Sequence, residues 1–399
     1  MPGGKPFSII LFAIFVDIVG FGIIIPLLPF LTIAYGGDAI VGAWLMGIYS
    51  LMTFLGGPLW GRLSDKIGRR PTLVATFFGS TCAYMLLAFS DSLEMLFFAR
   101  AFAGLMAGNV GIAMAATADL TTPQERGKAL GLVGAAFGFG FSIGPAIGAL
   151  LSGEAGAPSI LLPGLISAGA SLCAMMLTFL WFPETKAKED KTLIKEKIPA
   201  GAAYKAIILP YANLFVLMIV MVASMAQSSS FFISPWWAQS VLNWHQYEVG
   251  FLLMAAGIII AVIQSTMVAP MFRRFGEART LAIGNVIQMI GCVMLMLPAG
   301  TYQAYIALPL IYAGLTFTFP ALNALISKRT PSNLQGTALG LSQGISSLGR
   351  LAGPLAASSL FEYYTPVTPF MMIGAFGIII IGWAIWDANQ RPHIREEHL

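Results

Sequence analysis

Twelve long apolar stretches follow one another along the chain, divided by short polar segments. The first six cover roughly 7–31, 41–60, 71–90, 95–118, 128–152 and 158–182. The second six cover roughly 210–239, 247–270, 279–298, 302–326, 336–360 and 366–386. Each approaches the roughly 20 residues that carry an α-helix across a bilayer's hydrocarbon core. Between the two sets lies KAKEDKTLIKEK, Lys186 to Lys197, too charged for lipid and read as a solvated connection. The pattern predicts an all-α membrane protein with twelve transmembrane helices in two pseudo-symmetric six-helix bundles. The expected division is a first bundle at 1–185, a cytoplasmic linker at 186–205, and a second bundle with a short tail at 206–399.

Composition sharpens this picture. Apolar residues make up 57% of the 399-residue chain and charged residues 10%, and mean hydropathy is +0.80. Soluble domains carry about 25% charged residues, so too little charge is present to coat a water-facing surface. The net charge of +4 matters less than its placement. Arg62, Lys66, Arg69 and Arg70 follow the second stretch, and Arg126 and Lys128 the fourth. Arg273, Arg274 and Arg279 follow the eighth, Lys328 and Arg329 the tenth, with further cations at both termini and in the linker. With twelve spans all of these fall on one side. The opposite loops hold Asp38, Asp91, Glu94, Glu154, His245, Glu248 and Glu362, without Lys or Arg. The positive-inside rule then places both termini in the cytoplasm. The first apolar run is too long, and too polar at Asp17, for a cleavable signal peptide.

The halves repeat. ALGL containing Gly131 precedes Gly144–Pro145, and ALGL containing Gly340 precedes Gly353–Pro354, both at a separation of 13 residues and an offset of 209. GRLSDKIGRRP after the second stretch is echoed more weakly by FRRFGEART after the eighth. Parallel repeats of this kind place a substrate site near the bilayer midplane at the repeat interface.

Four groups of residues carry candidate chemistry. The loop Gly61-Arg62-Leu63-Ser64-Asp65-Lys66-Ile67-Gly68-Arg69-Arg70-Pro71 combines packing and turn glycines with an anion and a cation cluster. Asp65 can cap a helix N-terminus, and Arg69 and Arg126 can hold charge-assisted contacts to Asp65 and Asp119. Asp17, in DIVGFGIIIPLLP, is a carboxylate inside an apolar span, which costs about 2.5–3.5 kcal/mol on insertion scales. Such a group needs partners and can exchange a proton as its exposure changes. Arg100, in RAFAGLMAGN, is an intramembrane cation for which Asp17 is the expected partner. Gly140, Gly144 and Gly148 repeat every four residues on one helix face, with Pro145 favouring a kink.

These motifs resemble the major facilitator superfamily, and within it the drug/proton antiporters typified by bacterial tetracycline exporters. The resemblance covers most of the chain and is densest between residues 15 and 150. It implies a conformational latch at Gly61, Asp65, Gly68, Arg69, Arg70, Asp119 and Arg126, closing on the helix that begins near Gly336. It implies proton coupling through Asp17 and Arg100, and antiporter-type helix packing at Gly140, Gly144, Pro145 and Gly148. The implied activity is export of a small amphipathic molecule or drug in exchange for protons, by alternating access. A proton-coupled uptake symporter or metabolite transporter of the same fold is the alternative. Tetracycline exporters also carry acids in spans 3 and 9. Here Ala83 stands at the first place and no acid lies between Leu281 and Leu297, which implies a mechanism resting on Asp17 alone.

Polar and aromatic residues within spans make up the candidate substrate cavity: Asn109, Gln227, Phe231, Trp236, Asn285, Gln288, Asn323, Gln343 and Arg350. Each can instead join helices. No catalytic cluster is expected: His245, His393 and His398 lie in a loop and the tail, and the serines lack a neighbouring base. Cys82, Cys173 and Cys292 are far apart and lack metal or disulfide spacing. No metal, cofactor or nucleic acid is expected. The proton gradient is the driving force, a monomer the expected state, and a bacterial cytoplasmic membrane the expected setting.

Overall fold

The computed structural model describes residues 4–153, 158–185, 211–297, 300–331 and 334–390. Side chains at 123–128, 130, 131, 134, 135, 137, 211, 212, 335 and 336 lie outside it, as does the linker expected at 186–205. Regular structure among the described residues is helical throughout. Lipid explains this, because a helix satisfies its own backbone groups where no water can.

Each of the twelve apolar stretches is helical, and several are broken. The first forms α1 (Gly4–Ile24), a 3-10 turn at Ile25–Leu27 and α2 (Leu28–Ala34). Pro26 and Pro29 remove backbone donors at that interruption. Next come α3 (Ala39–Ile67) and α4 (Arg69–Ala88). The Asp38 carboxylate caps α3 by accepting from Val41 N at 2.8 Å. Gly68, with φ of 106°, ends α3 in a conformation that an L side chain rarely adopts. The fourth stretch splits into α5 (Leu93–Met106) and α6 (Asn109–Asp119), followed by α7 (Pro123–Leu151) and α8 (Leu161–Trp181).

The second set runs α9 (Tyr211–Leu242), α10 (Gln246–Thr266), α11 (Val268–Phe275), α12 (Glu277–Met296), α13 (Thr301–Leu315), α14 (Thr318–Arg329), α15 (Gln335–Tyr363) and α16 (Thr368–Gln390). The repeat extends to these boundaries. Gly276, with φ of 79°, precedes α12 as Gly68 precedes α4. The α13/α14 break puts Thr318 at a helix start 209 residues after Asn109, which opens α6.

Ten of these helical stretches are long and apolar enough to cross a membrane. The remaining two are the repeat-related α7 and α15, each of 29 residues and about 43 Å long. In α15 the serines, Gln343 and Arg350 lower the hydropathy without shortening the helix.

The chain packs as two units. One comprises Met1–Thr192 with Ala238–Ala261, the other Leu193–Trp237 with Val262–Leu399. In the first, α1 lies against α7 and α8, α4 against α8, and α3 against α5. Two apolar clusters form along α1, one around Phe7, Ile14, Phe77 and Ile112, the other around Ile23, Leu27, Leu87 and Leu96. Ala238–Ala261, expected with the second bundle, joins this unit through α7: Gly250 faces Pro145 O and Ala149, and Gly257 faces Ser142. The Ser142 hydroxyl also donates to Met254 O at 3.2 Å. In the second unit, α12 packs on α13 and α16 around Val216, Val220, Leu281, Leu322 and Ile380.

The α1/α7 contact is made by backbone. A Cβ on Gly144 would lie 2.7 Å from Gly22 Cα, and one on Gly148 would overlap Ile23 O. Gly148→Ala is therefore expected to destabilise the protein by about 1–3 kcal/mol, as overpacking does. Thermal melting in detergent checks this against Gly169→Ala, whose added methyl meets nothing within 4 Å. Equal melting temperatures for the two variants would refute the contact.

Candidate functional site

Asp17 lies on α1 among residues of the first apolar cluster, between Ile14 and Ile18, with 5% of its surface exposed. Three helices converge on its carboxyl group. From α8, Ser171 Oγ donates to Oδ1 at 2.7 Å. From α6, Asn109 Nδ2 donates to Oδ2. The α5/α6 break makes the second bond possible, because it places Asn109 in the opening turn of α6. Asn109 Oδ1 in turn accepts from Val110 N at 2.9 Å, which fixes the amide with its NH₂ toward Asp17.

The two donors are unequal. An amide NH₂ can only donate, so Oδ2 remains an acceptor in either charge state. A hydroxyl donates or accepts by rotating, so a proton on Oδ1 is accommodated once Ser171 Oγ turns to accept it. Of the two oxygens, Oδ1 is the one whose partner can accept as well as donate. The glycine face of α7 grips the same stretch of α1, with Gly140 against Ile18 and Phe15 O, and Gly144 against Val19 O and Gly22. Pro145 Cδ lies on the Gly22 side of this contact.

The expected Asp17–Arg100 ion pair is not formed. Arg100 is 1% exposed, yet its Nε has no hydrogen-bond acceptor among the described residues. Its guanidinium lies 4.4 Å from the Tyr49 ring centroid and 5.9 Å from that of Phe21. Asn109 and Ser171 occupy the carboxyl oxygens in its place.

At the end of α3, Arg69 is the hub of the signature loop. Its Nη1 donates to Asp65 Oδ1 and Ser64 Oγ, each at 2.7 Å, and its Nε to Asp119 Oδ2 at 3.1 Å. Glu184 caps the start of α4, accepting from Arg69 N at 2.8 Å and Arg70 N at 3.1 Å. Its carboxylate fills the space a Cβ on Gly68 would need. Arg70 donates to Phe179 O and lies over the Phe179 ring. Gly61 lies on α3 one turn before Asp65. The Arg126 side chain, expected in this cluster, is outside the described residues.

Neither Ser171 nor Glu184 stood out in the sequence. Ser171 is one small residue in a run of small residues, and Glu184 follows the sixth stretch with no spacing relation to α4. The second unit holds a counterpart that was also missed. Lys328 Nζ meets Glu277 Oε1 at 2.5 Å, and Arg329 Nη2 meets the buried Asp387 at Oδ2 at 2.5 Å. Lys328 stands 209 residues after Asp119. The pair from the start of α12 to the end of α14 therefore has the opposite polarity to Arg69–Asp119.

The second-unit residues expected to line a cavity do not form one cluster. Asn285 and Gln288 are fully buried and join helices: Asn285 Nδ2 donates to Leu281 O at 2.9 Å and reaches Thr318 Oγ1 at 3.4 Å. Gln288 Nε2 reaches Ile373 O at 3.4 Å. Glycines 284, 291 and 314 bring α12 and α13 too close for those amides to face elsewhere. Trp236 is buried, which excludes an interfacial anchor, and its Nε1 has no acceptor among the described residues. Phe231 packs on Tyr312 with ring centroids 4.7 Å apart, Gln227 is half-buried, and Asn323 and Gln343 are exposed. Arg350 Nη2 donates to Ser347 Oγ at 2.7 Å.

Comparison with known proteins agrees with this architecture. A family model described as Major Facilitator Superfamily matches residues 10–354, and again 267–397. The chain is 31% identical over 361 residues to the class D tetracycline resistance protein of Salmonella ordonez, covering 90% of each. It is 28% identical over 354 residues to the class B tetracycline resistance protein of Escherichia coli, covering 88% of this chain and 87% of that one. Among solved structures, the human organic anion transporter MFSD10 (TETRAN) superposes with a TM-score of 0.75 at 20% identity, over 96% of this chain and 100% of that one.

Removing the Glu184 cap by Glu184→Ala is expected to cost about 1 kcal/mol, whereas Asp65→Ala at an exposed pair is expected to cost less than about 0.5 kcal/mol. Thermal melting of the two variants checks the order, and the reverse order would refute the capping role.

Proposed function

Because the chain belongs to the Major Facilitator Superfamily and is an integral membrane transporter, we propose that it exports a small amphipathic molecule in exchange for protons. The reading rests above all on Asp17, a lipid-depth carboxyl with two neutral hydrogen-bond partners and no cation among the described residues. A carboxyl locked to a guanidinium stays ionised, whereas one held by a hydroxyl and an amide can carry either charge. The α7 glycine contact supports the same reading, since it ties the helix bearing this carboxyl to a neighbour at backbone distance. The relatives named as tetracycline resistance proteins support export as the direction.

The proposed cycle is alternating access. Facing the cytoplasm, Oδ1 releases its proton and substrate binds. Facing outward, Oδ1 takes a proton from outside, Ser171 Oγ rotates to accept the hydrogen bond that Oδ1–H then donates, and substrate departs. The Arg69 hub acts as the cytoplasmic latch. The protein works as a monomer in a bacterial cytoplasmic membrane with both termini inside. Spans 3 and 9 offer no second acid: Ala83 lies within α4, and α12 carries none beyond Glu277 at its start. One carboxyl therefore carries the coupling.

Asp17→Asn preserves size and hydrogen-bonding capacity but cannot exchange a proton. In proteoliposomes with an imposed proton gradient, this variant is expected to lose gradient-driven substrate movement while retaining substrate exchange at equilibrium. Gradient-driven movement that persists in the variant would remove Asp17 from the mechanism. Substrate movement along the inward proton flow in the wild type would identify uptake instead.

A further inference from the structure

Arg100 is a buried charge that this cycle does not use. An uncompensated cation at membrane depth is costly, and such residues ordinarily pair with a carboxylate or a carbonyl. Here it has neither among the described residues, and its Nε is left without an acceptor. Rings from two helices lie beside it, and a third ring adjoins them. Tyr49 of α3 and Phe21 of α1 are tilted against each other with centroids 5.3 Å apart, and Phe141 of α7 lies 6.4 Å from Phe21. These three rings are only half-buried, so part of each face remains accessible. Tyr84 of α4, itself buried, lies within electrostatic reach of Arg100.

A planar guanidinium that stacks on rings while keeping donors free is suited to a carboxylate or sulfonate, which it engages through directed N–H bonds. The adjoining aromatic faces suit a flat apolar body carrying that anion. We infer that Arg100, with Phe21, Tyr49 and Phe141, is the seat for the anionic group of an aromatic or otherwise flat organic anion. This names the substrate class of the exporter proposed above and rests on that reading. In this arrangement Arg100 binds substrate and Asp17 carries the proton. The two charges are separated because Asn109 and Ser171, not Arg100, occupy the carboxyl. An arriving anion would supply the compensation that the guanidinium lacks, so binding and desolvation favour the same charge type.

The test uses purified full-length protein in detergent and three probes of one shape: 2-naphthoate, 2-naphthylmethanol and 2-naphthylmethylammonium. Isothermal titration is expected to show naphthoate binding about tenfold or more tighter than the alcohol, with the ammonium weakest. Arg100→Gln is expected to reduce naphthoate to the level of the alcohol while leaving alcohol binding unchanged, which also reports that the variant is folded. Asp17→Asn is expected to keep the naphthoate preference. Equal binding of the three probes, tighter binding of the ammonium, no binding by any of them, or a carboxylate preference surviving in Arg100→Gln would each overturn the assignment. The comparison among probes on the wild type stands even if Arg100→Gln fails to fold. Binding needs no gradient, so naphthoate preference in a protein without proton-driven transport would sink the antiport reading and leave the anion seat intact.

Discussion

A carboxyl group at lipid depth must find its partners within the protein, and the first unit is arranged around that need. Asp17 is all but buried, and Ser171 and Asn109 supply its hydrogen bonds. Each bond constrains the backbone. Asn109 reaches the site because the fourth span breaks between α5 and α6. Ser171 reaches it because α8 lies flush against α1. The remaining side of α1 is closed by α7, whose glycines let backbone meet backbone at Gly22 and Ile23. One polar side chain thus draws on a helix break and on a serine amid small residues, beside a glycine repeat that packs the same helix.

Much of the fold was legible in the amino-acid pattern because lipid is an unforgiving solvent. Apolar length alone marked the helices. The repeat was visible as ALGL and Gly-Pro at matched spacing, and the helix breaks at Asn109 and Thr318 extend it. The site was legible only in part. Asp17 and Arg100 stood out because ionised groups are rare in such spans. Their partners did not: a hydroxyl such as Ser171 is common in membrane helices, where it usually bonds its own backbone, as Ser224, Ser230 and Ser234 do here. Glu184 and Asp387 are joined to their partners by tertiary packing across more than fifty residues, which no local pattern encodes. Pairing Asp17 with Arg100 followed from charge alone; the geometry instead gives the acid to hydrogen-bond donors and the base to aromatic rings.

The two units treat buried polarity differently. The first concentrates ionisable groups, Asp17 and Arg100, amid rings and small polar side chains. In the second, the buried amides Asn285 and Gln288 hold helices together through their NH₂ groups. Their carbonyl oxygens have no partner among the described residues. Its strongest charge pairs lie at helix ends, at Glu277–Lys328 and Arg329–Asp387. The repeated framework therefore carries its buried polarity differently in its two copies, as an acid and a base not paired with each other in the first and as helix-joining amides and a paired Arg329–Asp387 in the second.

The reversed polarity of the repeat-related ion pairs bears on how such a chain assembles. Similar six-helix modules made in succession present similar grooves, so a late helix can settle on the wrong copy. Here Asp119 offered to the start of α12 would meet Glu277, and Arg69 offered to the end of α14 would meet Lys328. Both mismatches bring like charges together, whereas the native matches are attractive. The sign inversion thus makes each copy's helix-end charges complementary to its own partner and mismatched to the repeat-related one.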